Sequence, residues 1–301
     1  MIVRGAFNHI LRPGLRTDFR DTYVSYPEEF SALLRIGTQD RAEVEAVNMA
    51  GLPRMVVRGE TEPVTYIDPV LGDKVIYVDT EYALGFIVSR KMVEDDLYGK
   101  AKQNSKWLGR SARLTQEYGA AALLDDAFTG SIFTGVNGET LIATDHVLLN
   151  SASLGSNRLA VDVQLGVTGL QSAYELAELT IDETGDPIPV VPDTLIINVD
   201  DQWVATQLNE AKLEPFTTDN NVNDLVANKG ALKTIVSHYK LQTGNDWFLR
   251  DSRLHDAHFL WRVKVQFEDA MDSDNLAAKF WARQRFLVYF FDWRGWIGSS
   301  P

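Results

Sequence analysis

The chain has 301 residues, 45% of them hydrophobic, with five histidines and no cysteine. That is enough apolar material for one large or two modest domains, and it excludes disulfide frameworks, thiol nucleophiles and thiolate metal sites. A net charge of −13, from 29 basic against 42 acidic side chains, argues against tight sequence-independent binding of nucleic acid, which depends on neutralising phosphates with Lys and Arg. The N-terminal region has no apolar export core and nowhere do about eighteen apolar residues run together, so neither a secretion signal nor a membrane span is expected.

Residues 1–53 read as an irregular, weakly helical arm: Pro13-Gly14 breaks its start, Tyr26-Pro27-Glu28-Glu29 opens a helix, and Arg41 to Met49 carries apolar residues at helical spacing. From Arg54 to Arg90 the texture becomes strand-like. Met55 and Val57, then Val75 and Tyr77 against Ile76 and Val78, alternate, while Pro63, Pro69 and Leu71-Gly72-Asp73-Lys74 supply turns. This predicts a long two-stranded hairpin. Two strands cannot bury enough surface to be stable in water, so the hairpin is expected to lie on another subunit.

Met92 to Phe128 is the longest helical pattern, with Val93, Leu97, Ala101, Leu108, Ala112, Thr115, Tyr118 and Ala122 on one stripe. Gly99, Gly109 and Gly119 weaken its continuity, each costing roughly 1 kcal/mol relative to Ala. Lys102, Lys106, Arg110 and Arg113 fall opposite the stripe as a basic ribbon, whose plainest reading is a solvated helix face. A Gly, Ser and Thr-rich loop from Thr129 to Asn157 leads to a helix from Val161 to Leu179, then to a Pro-punctuated strand from Ile188 to Asn198. The next helix, capped by Asp200 or Asp201 and reaching about Ala211, is expected to bury Trp203. Short strands follow at Leu232 to Val236 and Asp246 to Arg250, and a further strand at Phe259 to Phe267.

The ending is the most telling segment. Phe286-Leu287-Val288-Tyr289-Phe290-Phe291 is apolar at both parities, so a strand there must be covered on both faces, and it finishes at Asp292-Trp293-Arg294-Gly295-Trp296. Tyr289, Trp293 and Trp296 are expected in a structural core, with Arg294 held by a carboxylate or a carbonyl. Catalytic chemistry has no anchor: there is no nucleophile elbow, phosphate loop or dinucleotide fingerprint. His255-Asp256-Ala257-His258 offers two imidazoles one turn apart but no third ligand at convincing spacing, so a surface loop is expected there, and no metal or cofactor.

Arm, long hairpin, long helix, compact α/β unit and return strands follow one another in an order that resembles the major capsid proteins of tailed bacteriophages with the Hong Kong 97 fold. Several sequence words look like the Mu-like head-subunit branch: Leu123-Leu124-Asp125-Asp126-Ala127-Phe128, Thr144-Asp145-His146, Gly155-Ser156-Asn157, Val191-Pro192-Asp193-Thr194-Leu195-Ile196-Ile197, Asn228-Lys229-Gly230, Asp246-Trp247-Phe248-Leu249 and Asp292-Trp293-Arg294-Gly295. The resemblance implies an α+β fold with an N-terminal arm (1–53), an E-loop (54–90), a P domain carrying a spine helix (91–159), an A domain (160–250) and return strands (251–301). It implies a structural protein that forms pentamers and hexamers of an icosahedral shell around double-stranded DNA. The expected partners are portal and decoration proteins, and a separate scaffolding protein because the arm begins almost at Met1.

In this setting the basic ribbon could meet packaged DNA or acidic residues of a neighbour. Lys74, near the expected hairpin tip, sits where the type member of the fold carries a cross-linking lysine, although no partner Asn or catalytic Glu can be matched and no cross-link is expected. An encapsulin-type nanocompartment shell is the nearest rival reading, and a metal-assisted hydrolase using His255 and His258 the distant one.

Overall fold

The computed structural model describes residues 4–89, 91–92, 98–150, 153–210, 224–239, 245–272 and 277–301. The chain divides into two compact units, one made of residues 1–43, 78–121 and 258–288, the other of 44–77, 122–257 and 289–301.

The first unit is built on a four-stranded sheet in the order β1-β10-β11-β4, comprising β1 (Arg35–Thr38), β4 (Thr80–Ser89), β10 (Ala257–Asp272) and β11 (Ala277–Phe290). Helices α1 (Arg4–Ser25) and α3 (Tyr98–Asp125) pack on it. The expected break at Pro13-Gly14 does not occur. Proline inside a helix costs about 3 kcal/mol, but Leu15 and Phe19 recur four residues apart on one face and are buried with Ala101, Leu108 and Ala112 of α3. Tertiary burial of an apolar stripe outweighs local propensity.

The 28 residues of α3 run for about 42 Å; Val93 and Leu97 of the expected stripe lie outside the described residues. Two of its glycines have a packing reason. A Cβ on Gly109 would stand 2.5 Å from the Phe19 carbonyl oxygen, and one on Gly119 would stand 2.8 Å from the Phe286 ring, so both let a neighbour approach the helix backbone closely.

The second unit holds a sheet in the order β12-β9-β7-β8, from β7 (Thr194–Asn198), β8 (Lys233–Ser237), β9 (Trp247–Arg250) and β12 (Trp296–Ser299). On one face, Leu195, Ile197, Trp247, Leu249 and Ile297 share a core with helices α4 (Val167–Glu178) and α5 (Gln202–Glu210). The short helix α6 (Asp224–Lys229) follows, and β5 (His146–Val147) and β6 (Leu154–Gly155) form a small pair.

Three sequence expectations are corrected in the hairpin region. Residues 43–50 are strand β2 and not a helix, with every second residue turned toward cover (exposed, half-buried, in alternation). Glu-Val-Glu-Ala-Val-Asn-Met-Ala satisfies a period of two as well as a helical one, and pairing with β3 (Val70–Val78) decides it. The hairpin is therefore β2–β3, with residues 51–69 as its connecting loop, whereas β4 pairs antiparallel with β11 from Thr80↔Phe286 to Ser89↔Ala277. Leu71, Gly72, Asp73 and Lys74 lie inside β3 and make no turn. Gly72 suits a strand there because a Cβ would stand 2.8 Å from the Leu149 side chain.

Candidate functional site: a buried aromatic turn and an exposed apolar loop

The C-terminal turn is assembled around Trp293, whose ring stacks on the fully buried His146 with centroids 4.2 Å apart and planes 2° from parallel. Asn157 fixes the imidazole. Its Nδ2 donates to the Leu141 carbonyl at 2.8 Å and its Oδ1 accepts the Ala143 N–H at 2.9 Å, so the oxygen faces His146 Nε2 at 3.0 Å and that nitrogen must be the donor. Nδ1 meets Glu139 Oε2 at 2.6 Å.

Arg294 is held from three sides: Nε donates to the Ile181 carbonyl at 2.8 Å, Nη1 meets Asp292 at 3.2 Å and Nη2 meets Glu183 at 3.0 Å. Glu183 also accepts the Leu149 N–H and the Asn48 amide, which ties strand β2 into the same network. Burial pushes the Asp292 carboxyl up from its ordinary range, opposed by Arg294. Gly295 has φ +90°, and a Cβ there would press on the backbone of His255 at 2.8 Å. Trp296 is fully buried, edge-on to Phe248 and to His255. Tyr289, half-buried, tilts against Tyr77, whose hydroxyl donates to the Phe290 carbonyl at 2.8 Å. This is a structural knot of aromatic rings and charge pairs, beside a small recess of about 30 Å³ bordered by Glu139, Glu183, Asp292 and Arg294.

His255 is therefore buried against Trp296 and not in a surface loop, while His258 is the second residue of strand β10, opposite Arg35. Among the described residues no three His, Asp or Glu side chains are grouped to hold a metal ion, and no helix is long and apolar enough to cross a membrane.

The basic ribbon is corrected at one position. Lys102, Lys106 and Arg110 are exposed, but Arg113 is buried, with Nη1 on Glu28 at 3.0 Å and its guanidinium 4.3 Å from the Tyr23 ring centroid. Helix α1 and the turn after it cover that side of α3, so the four cations do not share one solvated face. Beside Arg113, the buried Glu117 accepts the backbone N–H groups of Glu29 and Phe30, capping the short helix α2 (Phe30–Leu33). Burial pushes its carboxyl up to about 7.

The second functional feature is the loop 51–69. Met55 is fully exposed, Val57 95% and Tyr66 91%. Their backbone makes no strand, and Arg54 pairs with Asp186 at its base. Lys74, in β3, pairs across the hairpin with Glu45 at 2.7 Å. Large apolar side chains this exposed, and this close together in sequence, are what a surface awaiting a partner would carry. Sequence reasoning missed a further exposed ring, since Trp203 is 80% exposed and not core. Its neighbours Asp200, Asp201 and Gln202 were the available signal, because a Trp among polar residues at a helix start need not face inward.

A family model described as phage capsid protein matches residues 73–298. The chain belongs to that family. It is a structural capsid protein, and its fold is that of tailed-phage capsid subunits, as three solved structures agree. The capsid of cyanophage P-SCSP1u aligns with TM-score 0.57 at 10% identity, covering 91% of this chain and 89% of that one. Mycobacterium phage Adephagia aligns with TM-score 0.56 at 12% identity, covering 92% and 90%. The procapsid of bacteriophage JBD30 aligns with TM-score 0.53 at 14% identity, covering 98% and 75%. No curated protein sequence matches.

Proposed function

We propose that copies of this capsid subunit clasp one another through the loop 51–69 carried on the β2–β3 hairpin, closing into pentamers and hexamers and then into an icosahedral shell around double-stranded DNA. The observation that supports this reading is the exposure of Met55, Val57 and Tyr66. Burying apolar area is worth about 25 cal/mol per Å², and a neighbouring copy is the partner present at the highest local concentration during assembly. Ordering of the loop is then coupled to association.

In this reading the hairpin and its loop are the E-loop, α3 is the spine helix, the sheet of the second unit is the core of the A domain, and the subunit belongs to the Mu-like head branch. It does no catalysis and takes no cofactor. It is assembled in the host cytoplasm with a portal and with separate scaffolding or decoration proteins, and the exposed Lys102, Lys106 and Arg110 face either packaged DNA or a neighbour. The test is deletion of residues 52–68 followed by negative-stain microscopy. Folded subunits that form no shells are expected; shells of ordinary size from the deletion variant would refute the reading.

A further inference from the structure

The partners of His146 count its protons. Asn157 is fully committed: Nδ2 donates to the Leu141 carbonyl at 2.8 Å and to the Trp293 carbonyl at 3.4 Å, while Oδ1 accepts from Ala143. The amide cannot be turned round, so Nε2 of His146 must donate to it. A neutral imidazole has one N–H only, and its Nδ1 would then present a bare lone pair. Opposite it, at 2.6 Å, stands Oε2 of Glu139, whose Oε1 accepts the Val147 N–H at 2.6 Å. A neutral ring beside an ionised carboxylate would set two acceptors against each other at hydrogen-bond distance. The pair therefore holds one proton more than a neutral histidine and a carboxylate do.

That proton belongs on the ring. Both Glu139 oxygens act as acceptors, as those of a carboxylate do, and the short separation from Nδ1 is that of a charge-assisted bond. The ring lies flat on Trp293, with planes 2° apart, and the face of an indole attracts a cation. The other charges about the site agree. Glu183, Asp292 and Arg294 border the same recess as Glu139, one cation among three carboxyl groups, and Asp145 precedes His146 in the chain, exposed. Arg294, 4.7 Å from the same indole centroid, is matched by Glu183 and Asp292, which leaves Glu139 to His146. The His146 side chain is fully buried and that of Glu139 is 19% exposed, so proton exchange with water runs through the carboxylate.

We infer that His146 is an imidazolium ion in the folded subunit, paired with the Glu139 carboxylate, and that this one proton latches the C-terminal turn. Asn157, which the Nε2 hydrogen bond engages, also donates to the Trp293 carbonyl and accepts the Gly298 N–H at 3.0 Å with its own carbonyl. Losing the proton therefore loosens the Trp293 stack and strand β12 together. Removing one charge of a buried pair leaves the other uncompensated, which is strongly destabilising. The closed turn binds this proton and the open turn does not need it, so closure is favoured at low pH and weakens as pH rises, by up to about tenfold per pH unit for one proton. The pair lies within one subunit and owes nothing to assembly.

Glu139→Gln is the variant that tests this, because its amide oxygen can still accept from Val147 while its NH2 donates to Nδ1, replacing the hydrogen that the extra proton supplies. The chain is labelled with 15N-histidine and read at about pH 7.5 by magic-angle-spinning NMR, which serves subunits and particles alike. An ordinary histidine is then about nine-tenths neutral. The parent is expected to show a histidine with both ring nitrogens protonated, and the variant to show that residue in the neutral Nε2–H form. A parent in which every histidine is neutral, or whose doubly protonated histidine is unchanged by Glu139→Gln, overturns the inference. Hydrogen exchange followed from about pH 6 to about pH 9 gives a second measurement. Peptides from 139–150 and 289–301 should exchange faster in the parent than in the variant by a ratio that grows with pH, while α4 keeps a constant ratio. The Asp292 carboxyl, pushed up by burial, is common to both chains and cancels in the comparison. A ratio independent of pH in the two site peptides contradicts the latch.

Discussion

The turn Asp292–Trp296 and the loop 51–69 are both rich in large apolar side chains, and the chain treats them in opposite ways. In the turn, Trp293 and Trp296 are enclosed, and Arg294 between them is engaged by Asp292, Glu183 and a carbonyl. In the loop, Met55, Val57 and Tyr66 face outward. The first region satisfies itself and so contributes to the stability of one subunit. The second, on the function proposed above, is satisfied by a neighbouring copy and so contributes to the stability of the assembly.

The contrast is broken most forcefully at Trp293. Truncating a buried Trp to Ala costs about 3 to 5 kcal/mol, a large share of an ordinary domain's roughly 5 to 15. Trp293→Ala is therefore expected to yield insoluble or unfolded subunits, checked by soluble yield and thermal melting; a soluble variant with an unchanged midpoint would show that the stack on His146 carries little.

Next in size is the loop. Replacing Met55, Val57 and Tyr66 together by Ser should change subunit stability by no more than about 0.5 kcal/mol, as exposed substitutions do, while abolishing shells in the microscope. Loss of subunit stability with assembly intact would reverse the assignment.

A smaller effect separates the two kinds of surface in the first unit. Glu117 has its carboxyl pushed up to about 7 by burial, against the opposing pull of the Glu29 and Phe30 N–H groups and of Arg113. The folded chain then holds this proton more tightly than the unfolded chain, whose carboxyl titrates near 4.3. The associated stability is fully present below that lower value and is lost as pH rises to about 7. Glu117→Gln keeps an oxygen for the Phe30 N–H and removes the titration. The decline in melting temperature between about pH 5 and about pH 8 should be shallower in the variant than in the parent; equal slopes would place the titration elsewhere.

The smallest effect is expected on the exposed cations. Lys102→Ala should give normal empty shells, with at most a change in the salt sensitivity of packaging. Particles boiled in denaturant should run as one band at the monomer mass, since Lys74 is engaged by Glu45; a ladder of multimers would implicate Lys74 in a cross-link.

How legible these regions were depended on whether their signals were local. The double-parity apolar run Phe286–Phe291 can only be a covered strand end, and residues 286–288 and 290 are indeed buried. The long helix was equally plain from its stripe. Helix α1 was not, because Pro13-Gly14 signals a break and the opposing force, burial of Leu15 and Phe19 on α3, comes from residues some ninety positions away. Strand β2 failed for a different reason, since its eight residues fit both periods and only its pairing partner decides. Leu-Gly-Asp-Lys has the composition of a turn, yet Gly72 serves as a gap beneath the Leu149 side chain. Arg113 looked solvated because its partners Glu28 and Tyr23 lie on another element. The exposure of Trp203 runs against its residue type, and its place among Asp200, Asp201 and Gln202 at a helix start is the local signal that opposes that type.

The central claim is that the loop is incomplete alone and completed by another copy. A cryo-electron microscopy reconstruction of the assembled particle tests it most directly, by reading the surroundings of Met55, Val57 and Tyr66. The account predicts all three packed against a neighbouring subunit; finding them in solvent, or folded back on their own chain, would contradict it.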